Sequence, residues 1–316
     1  MTDNSPAIVR KVNAEALDEA AAVLRASGLV AVPTETVYGL AARADSAAAV
    51  AAIYRAKGRP DFNPLIVHVA GLEQAQSLAL FDARSIALAD HFWPGALTLV
   101  LPLRADTGLA PAVTAGLPTV ALRWPAHPVM QALLRQTGLP LAAPSANRSG
   151  AVSPTCAAHV AASLGGKAQL ILDGGPCAAG IESTIVALRE GEEWQVLRPG
   201  PIAMAELSVF LGSKPVADAG TAPIEAPGQL ASHYAPGKPM RLGAQTVAAD
   251  EFHIGFGGVA GDTCLSAVGD LAEAAAMLYA ALHEASASPL PRIAVAPVPG
   301  EGIGEAINDR LRRAAT

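Results

Sequence analysis

Along the chain, apolar positions fall first at helical spacing and then in short continuous runs. Leu17, Ala20, Ala21 and Leu24 recur as one helix face, with Asn13 placed to cap its start and Gly28 to end it. Leu29 to Val32 reads as a short buried strand, which delivers the segment Pro33-Thr34-Glu35-Thr36-Val37-Tyr38-Gly39-Leu40. If that segment stays extended, the hydroxyls of Thr34, Thr36 and Tyr38 share one face, either as a ligand-binding row or simply as good strand formers. Ser46 caps the next helix, which ends at Lys57, and a strand follows from Leu65 to Val69.

An amphipathic stretch then runs to His91, and Trp93-Pro94-Gly95 turns into a strand from Ala96 to Leu101. Trp93 and Leu97 to Leu101 are expected in the core. Further strands are expected at Thr119–Arg123, Leu141–Ala143, Gly180–Val186 and Trp194–Leu197, with a turn at Asp173-Gly174-Gly175. Ser153 and Pro154 make a good cap and first-turn pair for a helix, whose free N–H groups also suit phosphate oxygens. Arg123, leaving its strand, is either a surface cation lying along an apolar wall or a two-pronged clamp for a carboxylate.

From Gly212 to Pro239 the chain gathers five prolines and four glycines with little periodicity, which reads as a linker. Beyond it, Phe252–Phe256 and Ile293–Ala296 read as strands. Asp270 caps a helix to about Ser286, and a helix from Gly302 ends at Arg313. This β-α-β-α pattern implies a second α/β domain. The expected division is residues 1–211, a linker at 212–239, and 240–316. Gly300-Glu301-Gly302-Ile303-Gly304 lacks the full dinucleotide spacing.

Composition narrows the picture. The 316 residues are 51% hydrophobic and 16% charged, which suits globular domains with real cores. No apolar run reaches membrane-spanning length and the N-terminus lacks a signal peptide's pattern, so a cytoplasmic protein is expected. Cys156, Cys177 and Cys264 are scattered, which argues against a disulfide framework or a structural zinc. Residues 1–200 carry 15 Lys plus Arg against 16 Asp plus Glu, a net charge of −1, and the whole chain carries −6. With aromatics at 4%, any RNA contact should be local or weak. The Walker pattern fails because Ala168 follows Gly166-Lys167, and neither His-Glu-x-x-His nor Gly-x-Ser-x-Gly occurs.

The most informative stretch is Lys57-Gly-Arg-Pro-Asp-Phe-Asn-Pro-Leu-Ile-Val-His68, a proline-stiffened loop with two cations, an amide and an imidazole. It reads as an anion-holding loop, with a solvated basic turn as the alternative. Pro144-Ser145-Ala146-Asn147, between a strand and a helix start, adds polar side chains.

Together with Pro33–Leu40, Ser183, Arg198-Pro-Gly200 and Ser232-His-Tyr-Ala-Pro236, these motifs resemble the threonylcarbamoyl-AMP synthase family in its two-domain form. The resemblance implies a YrdC-like twisted mixed β-sheet domain with helices, plus a smaller Rossmann-like α/β C-terminal domain. It implies a nucleotidyltransferase that joins L-threonine, bicarbonate and ATP into threonylcarbamoyl adenylate with release of pyrophosphate. Other proteins, tRNA threonylcarbamoyltransferases, would then modify tRNA. It further implies Lys57 and Arg59 as catalytic residues. Arg59, Asn63, Thr119, Ser145, Asn147, Ser153, Arg198, Ser232 and Tyr234 would contact ATP. Thr34, Thr36, Tyr38, His68, Arg123, Ala143 and Ser183 would contact threonine. Mg²⁺ would arrive with ATP, held by phosphates and water, without a metal site on the protein. The Ser232–Tyr234 segment would fold over the site. Two other readings are a non-catalytic RNA-binding module and a carbamoyl-transfer enzyme of hydrogenase maturation, the latter needing cysteine-rich zinc modules that three scattered cysteines cannot build.

Overall fold

Local signals start the helices where the sequence places them. The Asn13 side chain accepts a hydrogen bond from the Ala16 N–H at 2.8 Å, and the Ser46 hydroxyl accepts one from Ala49 at 3.3 Å. The computed structural model of the chain describes residues 7–189, 191–216, 225–229 and 233–316. Its first elements are β1 (Val9–Lys11), α1 (Ala14–Arg25), β2 (Val30–Val32), β3 (Gly39–Arg43), α2 (Ala47–Lys57), β4 (Ile66–His68), α3 (Leu72–Leu78), α4 (Ala83–Phe92) and β5 (Leu97–Pro102). Next come β6 (Thr119–Arg123), α5 (Pro128–Thr137), β7 (Leu141–Ala142), α6 (Ala157–Leu164), β8 (Leu170–Asp173), β9 (Thr184–Leu188), β10 (Trp194–Arg198) and α7 (Met204–Leu211). The last are β11 (Met240–Leu242), β12 (Glu251–Gly255), β13 (Thr263–Cys264), α8 (Leu271–Ala287), β14 (Arg292–Val295) and α9 (Gly304–Ala314).

The first ten strands form one mixed sheet in the order β1-β8-β2-β3-β7-β4-β6-β5-β9-β10. Helices cover both faces. On one side Leu24 of α1 and Met130, Leu133 and Leu134 of α5 pack on Val30, Val32, Leu141 and Leu170. On the other, Ile53 of α2 and Leu88 of α4 join Leu40, Val67, Leu97, Leu99 and Leu122, with Trp93 in the same core. The remaining four strands form a smaller all-parallel sheet, β11-β14-β12-β13, against which α8 and α9 pack. Among the described residues no helix is long and apolar enough to cross a membrane.

Several details differ from the sequence reading. The Pro33–Tyr38 segment bends instead of running extended: the Thr34 hydroxyl donates to the Val37 carbonyl at 2.6 Å and accepts the Val37 N–H at 3.2 Å. Such a hydroxyl-closed turn competes with strand geometry. Ser153 is not a helix cap, because α6 begins after Cys156 and the Ser153 hydroxyl donates to Glu182 instead. At the end of α1 it is Ser27, at φ 64°, and not Gly28 that takes the left-handed conformation. The single strand expected from Gly180 starts only at Thr184, leaving Gly180–Ser183 as a loop. β1, β8, α7, β11 and β13 had no clear sequence signal, being short or lacking an alternating pattern.

The two sheets share a core. The cluster under α8 and α9 takes in Val37, Val152, Ile181 and Tyr234 from outside the second sheet. Gly180 marks a close approach: its φ is +70°, and a Cβ there would lie 2.4 Å from the Ala276 Cα and 2.5 Å from the Ala275 carbonyl oxygen of α8. Gly180→Ala is therefore expected to cost roughly 2–5 kcal/mol, from left-handed strain plus overpacking against backbone. Gly108→Ala, also at positive φ but with open space around it, should cost only about 1–2 kcal/mol. Urea unfolding of both variants checks this, and equal losses would contradict the close packing of α8.

Candidate active site

α2 ends on Gly58 in the left-handed conformation at φ 61°, which turns the chain sharply into the loop that carries Arg59. Parallel pairing of β4 with β6 then sets His68 directly beside Arg123. The antiparallel β9–β10 pair brings Arg198, at the end of β10, next to Ser183, which precedes β9. These side chains line one cavity, together with Thr34, Thr36, Ala143 and Ser145. Pro227, Gly228, His233 and Tyr234 line it from the segment downstream of β10.

Three guanidinium groups are buried at this cavity. Arg59 donates from Nε to the Asn63 carbonyl at 3.1 Å, and from Nη2 to the Asn63 side-chain oxygen at 2.6 Å and the Pro64 carbonyl at 2.8 Å. Burial lowers its pKa to about 10, still far above neutrality, so it stays charged. Arg198 donates to the carbonyl and hydroxyl of Ser183, each at 3.1 Å, and to the Pro227 carbonyl. Arg123 is only 4% exposed, which settles the alternative of a surface cation. It donates to Gly95 O at 3.1 Å, Thr36 Oγ1 at 2.9 Å and Glu35 Oε1 at 2.6 Å. A guanidinium has five N–H groups, so two of Arg123 remain without a partner among the described residues.

Two carboxylates balance the cations. Burial works to raise the pKa of Glu35, but the Arg123 charge and hydrogen bond outweigh it and the net shift is downward. Glu182 is fully enclosed. Burial again works upward, yet Arg310, Arg198 and the Ser153 and Tyr279 hydroxyls hold its pKa at about 2. His68 is neutral: burial and the neighbouring Arg123 depress it to about 3, and its Nδ1 is buried without a hydrogen-bond partner. An unpaired buried ring nitrogen facing a cavity is a place for a ligand to bond.

Not every residue expected at the site lines the cavity. The Lys57 ammonium is buried against the carbonyls of Ser145 and Asn147, both at 2.5 Å, and so pins the 145–147 loop from behind. Burial and the adjacent Arg59 charge push its pKa well below the ordinary lysine value. Asn63 supports Arg59, Asn147 bonds back to the Arg148 and Ala151 carbonyls, and Ser153 bonds to Glu182. The Tyr38 hydroxyl points elsewhere, donating to Gly175 O and accepting from Gly174 N, which follows from the bend at Pro33–Val37. Thr119 begins the strand that Arg123 ends, so roughly 13 Å of extended chain separates them. Ser232 lies outside the described residues. Sequence reasoning missed Glu35, Glu182 and Arg310. Two of them had a signal: Glu182 interrupts the run from Ile181 to Leu188, and Arg310 falls on the stripe of Ile307, Leu311 and Ala314. A charge in an apolar stripe demands a buried partner.

A mixed-sheet α/β domain carrying a buried arginine-lined cavity, with a downstream segment along one wall, is the YrdC-type class. Comparison with known proteins agrees and goes further. A family model described as Telomere recombination, of Sua5, YciO and YrdC proteins, matches residues 22–200, and one described as Threonylcarbamoyl-AMP synthase, C-terminal domain matches residues 202–316. The threonylcarbamoyl-AMP synthase of Pyrococcus abyssi is 38% identical over 94% of this chain and 93% of its own length. That of Bacillus subtilis is 48% identical over 71% of this chain, and the match spans 65% of the relative's length. A crystal structure of P. abyssi Sua5 complexed with L-threonine superposes with a TM-score of 0.88 at 35% identity, covering 98% of this chain and 97% of that one. The chain belongs to the threonylcarbamoyl-AMP synthase family, in its two-domain form.

His68 gives the site a pH signature. Its unfolded pKa is near 6.5 and its folded pKa about 3, so below 6.5 the unfolded chain binds a proton that the folded chain refuses until about 3. Stability therefore falls as pH drops through that window. His68→Gln is expected to flatten the fall in urea midpoint between pH 7 and pH 5, and an unchanged slope would contradict a buried neutral imidazole.

Proposed function

We propose that this protein is an ATP-dependent nucleotidyltransferase that makes L-threonylcarbamoyl adenylate from L-threonine, bicarbonate and ATP, releasing pyrophosphate. The product supplies the threonylcarbamoyl group for tRNA modification by other proteins in the cytoplasm. The observation that carries the proposal is the convergence of Arg59, Arg123 and Arg198 on one buried cavity that also offers Thr34, Thr36, Ser145 and Ser183.

The chemistry explains why such a cavity suits the reaction. The threonine amine adds to the bicarbonate carbon and water leaves, giving a carbamate. A carbamate oxygen then attacks the α-phosphorus, and the bond to pyrophosphate breaks. One anion approaches another, and at ~4 Å and an effective dielectric near 20 each pair of unit charges repels by about 4 kcal/mol. Guanidinium groups fixed before the substrates arrive offset that repulsion without reorganising. No protein nucleophile is needed, because positioning and charge stabilisation suffice.

The two remaining N–H groups of Arg123 suit the threonine carboxylate, with Thr36, Ser183, the Ala143 backbone and neutral His68 beside it. Arg59, Arg198 and Ser145 suit the ATP phosphates. Lys57 fixes the 145–147 loop from behind, while Asn63, Asn147 and Ser153 brace the same walls. Mg²⁺ enters as part of the ATP substrate, which fits a lining richer in guanidinium groups than in carboxylates. Pro227, Gly228, His233 and Tyr234 of the linker shield the adenylate from water.

Incubating the protein with ATP, threonine and bicarbonate, omitting each in turn, and following pyrophosphate and the adduct mass tests the proposal. All three should be required. Arg59→Ala and Lys57→Ala should each lower the rate by about 100-fold or more, as expected for lost electrostatic stabilisation. Pyrophosphate release indifferent to threonine, or full activity in both variants, would overturn it.

A further inference from the structure

Residues 240–316, which carry the second sheet, have no side chain in the set that lines the cavity, yet they hold one residue that does. Glu182 lies on the Gly180–Ser183 loop and faces the cavity with almost no solvent exposure. Its Oε2 accepts from the Tyr279 hydroxyl of α8 at 2.8 Å and from Arg310 Nε of α9 at 3.0 Å, and its Oε1 accepts from the Ser153 hydroxyl at 2.6 Å. Arg310 is fully buried, donates also to the Pro199 carbonyl at 2.8 Å and sits 5.5 Å from the centre of the Tyr234 ring. α8 lies directly against Gly180, and the ring of His283, also from α8, bonds the Ser153 carbonyl at 3.1 Å and stacks on His159 of α6.

We infer that Glu182 is a positioning residue, clamped by Tyr279 and Arg310, through which the C-terminal domain sets Ser183 and Arg198 for the reaction. The geometry is a short relay. Glu182 precedes Ser183 in the chain, and Ser183 receives two hydrogen bonds from the Arg198 guanidinium and pairs with Thr98 at 2.7 Å. Arg310, from the second sheet's helix α9, is ion-paired with Glu182 at 3.0 Å, while Arg198 at the cavity makes no direct bond to that carboxylate and acts on it through its charge. A buried carboxylate paired with a buried guanidinium cannot move away from it without leaving a buried charge unpaired, which is strongly unfavourable. The C-terminal domain thereby acts as the rear support of the site, a role separate from that of the segment lining its mouth. This inference rests on the reaction proposed above for its kinetic consequences, but not for its structural ones.

The test uses the full-length protein with Arg310→Met, Arg310→Lys and Tyr279→Phe. Amide hydrogen exchange over residues 180–184 should speed up at least tenfold in Arg310→Met and less in Arg310→Lys, whatever reaction the protein performs. In the synthesis assay, Arg310→Met should lower kcat about tenfold or more and raise KM for threonine, with Arg310→Lys recovering part of both. A merely structural role would lower the folded fraction and leave kcat per folded molecule unchanged. Should Arg310→Met fail to fold, Tyr279→Phe, which loses a single hydroxyl, carries the test through a smaller shift of the same kind. Unchanged exchange and unchanged kinetics in folded Arg310→Met or Tyr279→Phe overturn the inference. Absence of threonine-dependent pyrophosphate release in the wild type would instead overturn the proposed reaction, leaving the exchange result to decide on Glu182.

Discussion

Burying several like charges in one place is the constraint around which this molecule is built. Arg59, Arg123, Arg198 and Lys57 are each less than a tenth exposed. A bare buried guanidinium or ammonium would be strongly unfavourable, so each is tied to carbonyls or to a carboxylate. Lys57 and Arg59 are held by backbone oxygens of tight loops, Arg123 by Glu35, and Arg198 by Ser183 beside Glu182. The three guanidinium groups that line the cavity outnumber the two carboxylates beside them and leave the cavity electropositive. On the proposed function, an anionic substrate would complete the pairing and meet donors already aimed.

That constraint explains features that look unrelated. The prolines of the Lys57–His68 loop stiffen the backbone that supplies the Asn63 and Pro64 carbonyls to Arg59. The bend at Thr34–Val37 turns Glu35 and Thr36 toward Arg123 and costs Tyr38 its place at the cavity. The second sheet and its helices contribute no side chain to the lining but supply Arg310 and Tyr279 to the Glu182 carboxylate near Arg198. Charge balance, more than apolar packing alone, ties the two sheets into one functional unit.

Much of this was legible in the sequence. Helix starts were readable because Asn13, Ser46 and Asp270 act locally, each accepting a bond from a nearby backbone N–H. Strands carrying long apolar runs, such as Leu97–Leu101 and Thr119–Arg123, were readable for the same reason. The short edge strand Val9–Lys11 was not, since three exposed residues have no periodicity to show. Motif reading brought Arg59, Arg198, His68, Arg123 and Ser183 to the site, and all of them line one cavity. It could not tell which polar groups face a ligand and which brace those that do. Ser153 is the clearest case: locally a good helix cap, it is captured by Glu182 across 29 residues of chain, a pairing fixed only by tertiary packing.

On the proposed function, threonine and ATP meet among these buried arginines. A crystal structure of the protein with L-threonine and a non-hydrolysable ATP analogue tests it most directly. The amino-acid carboxylate should lie against Arg123 and the phosphates between Arg59 and Arg198. Density for either ligand at another surface, with this cavity empty, would contradict it.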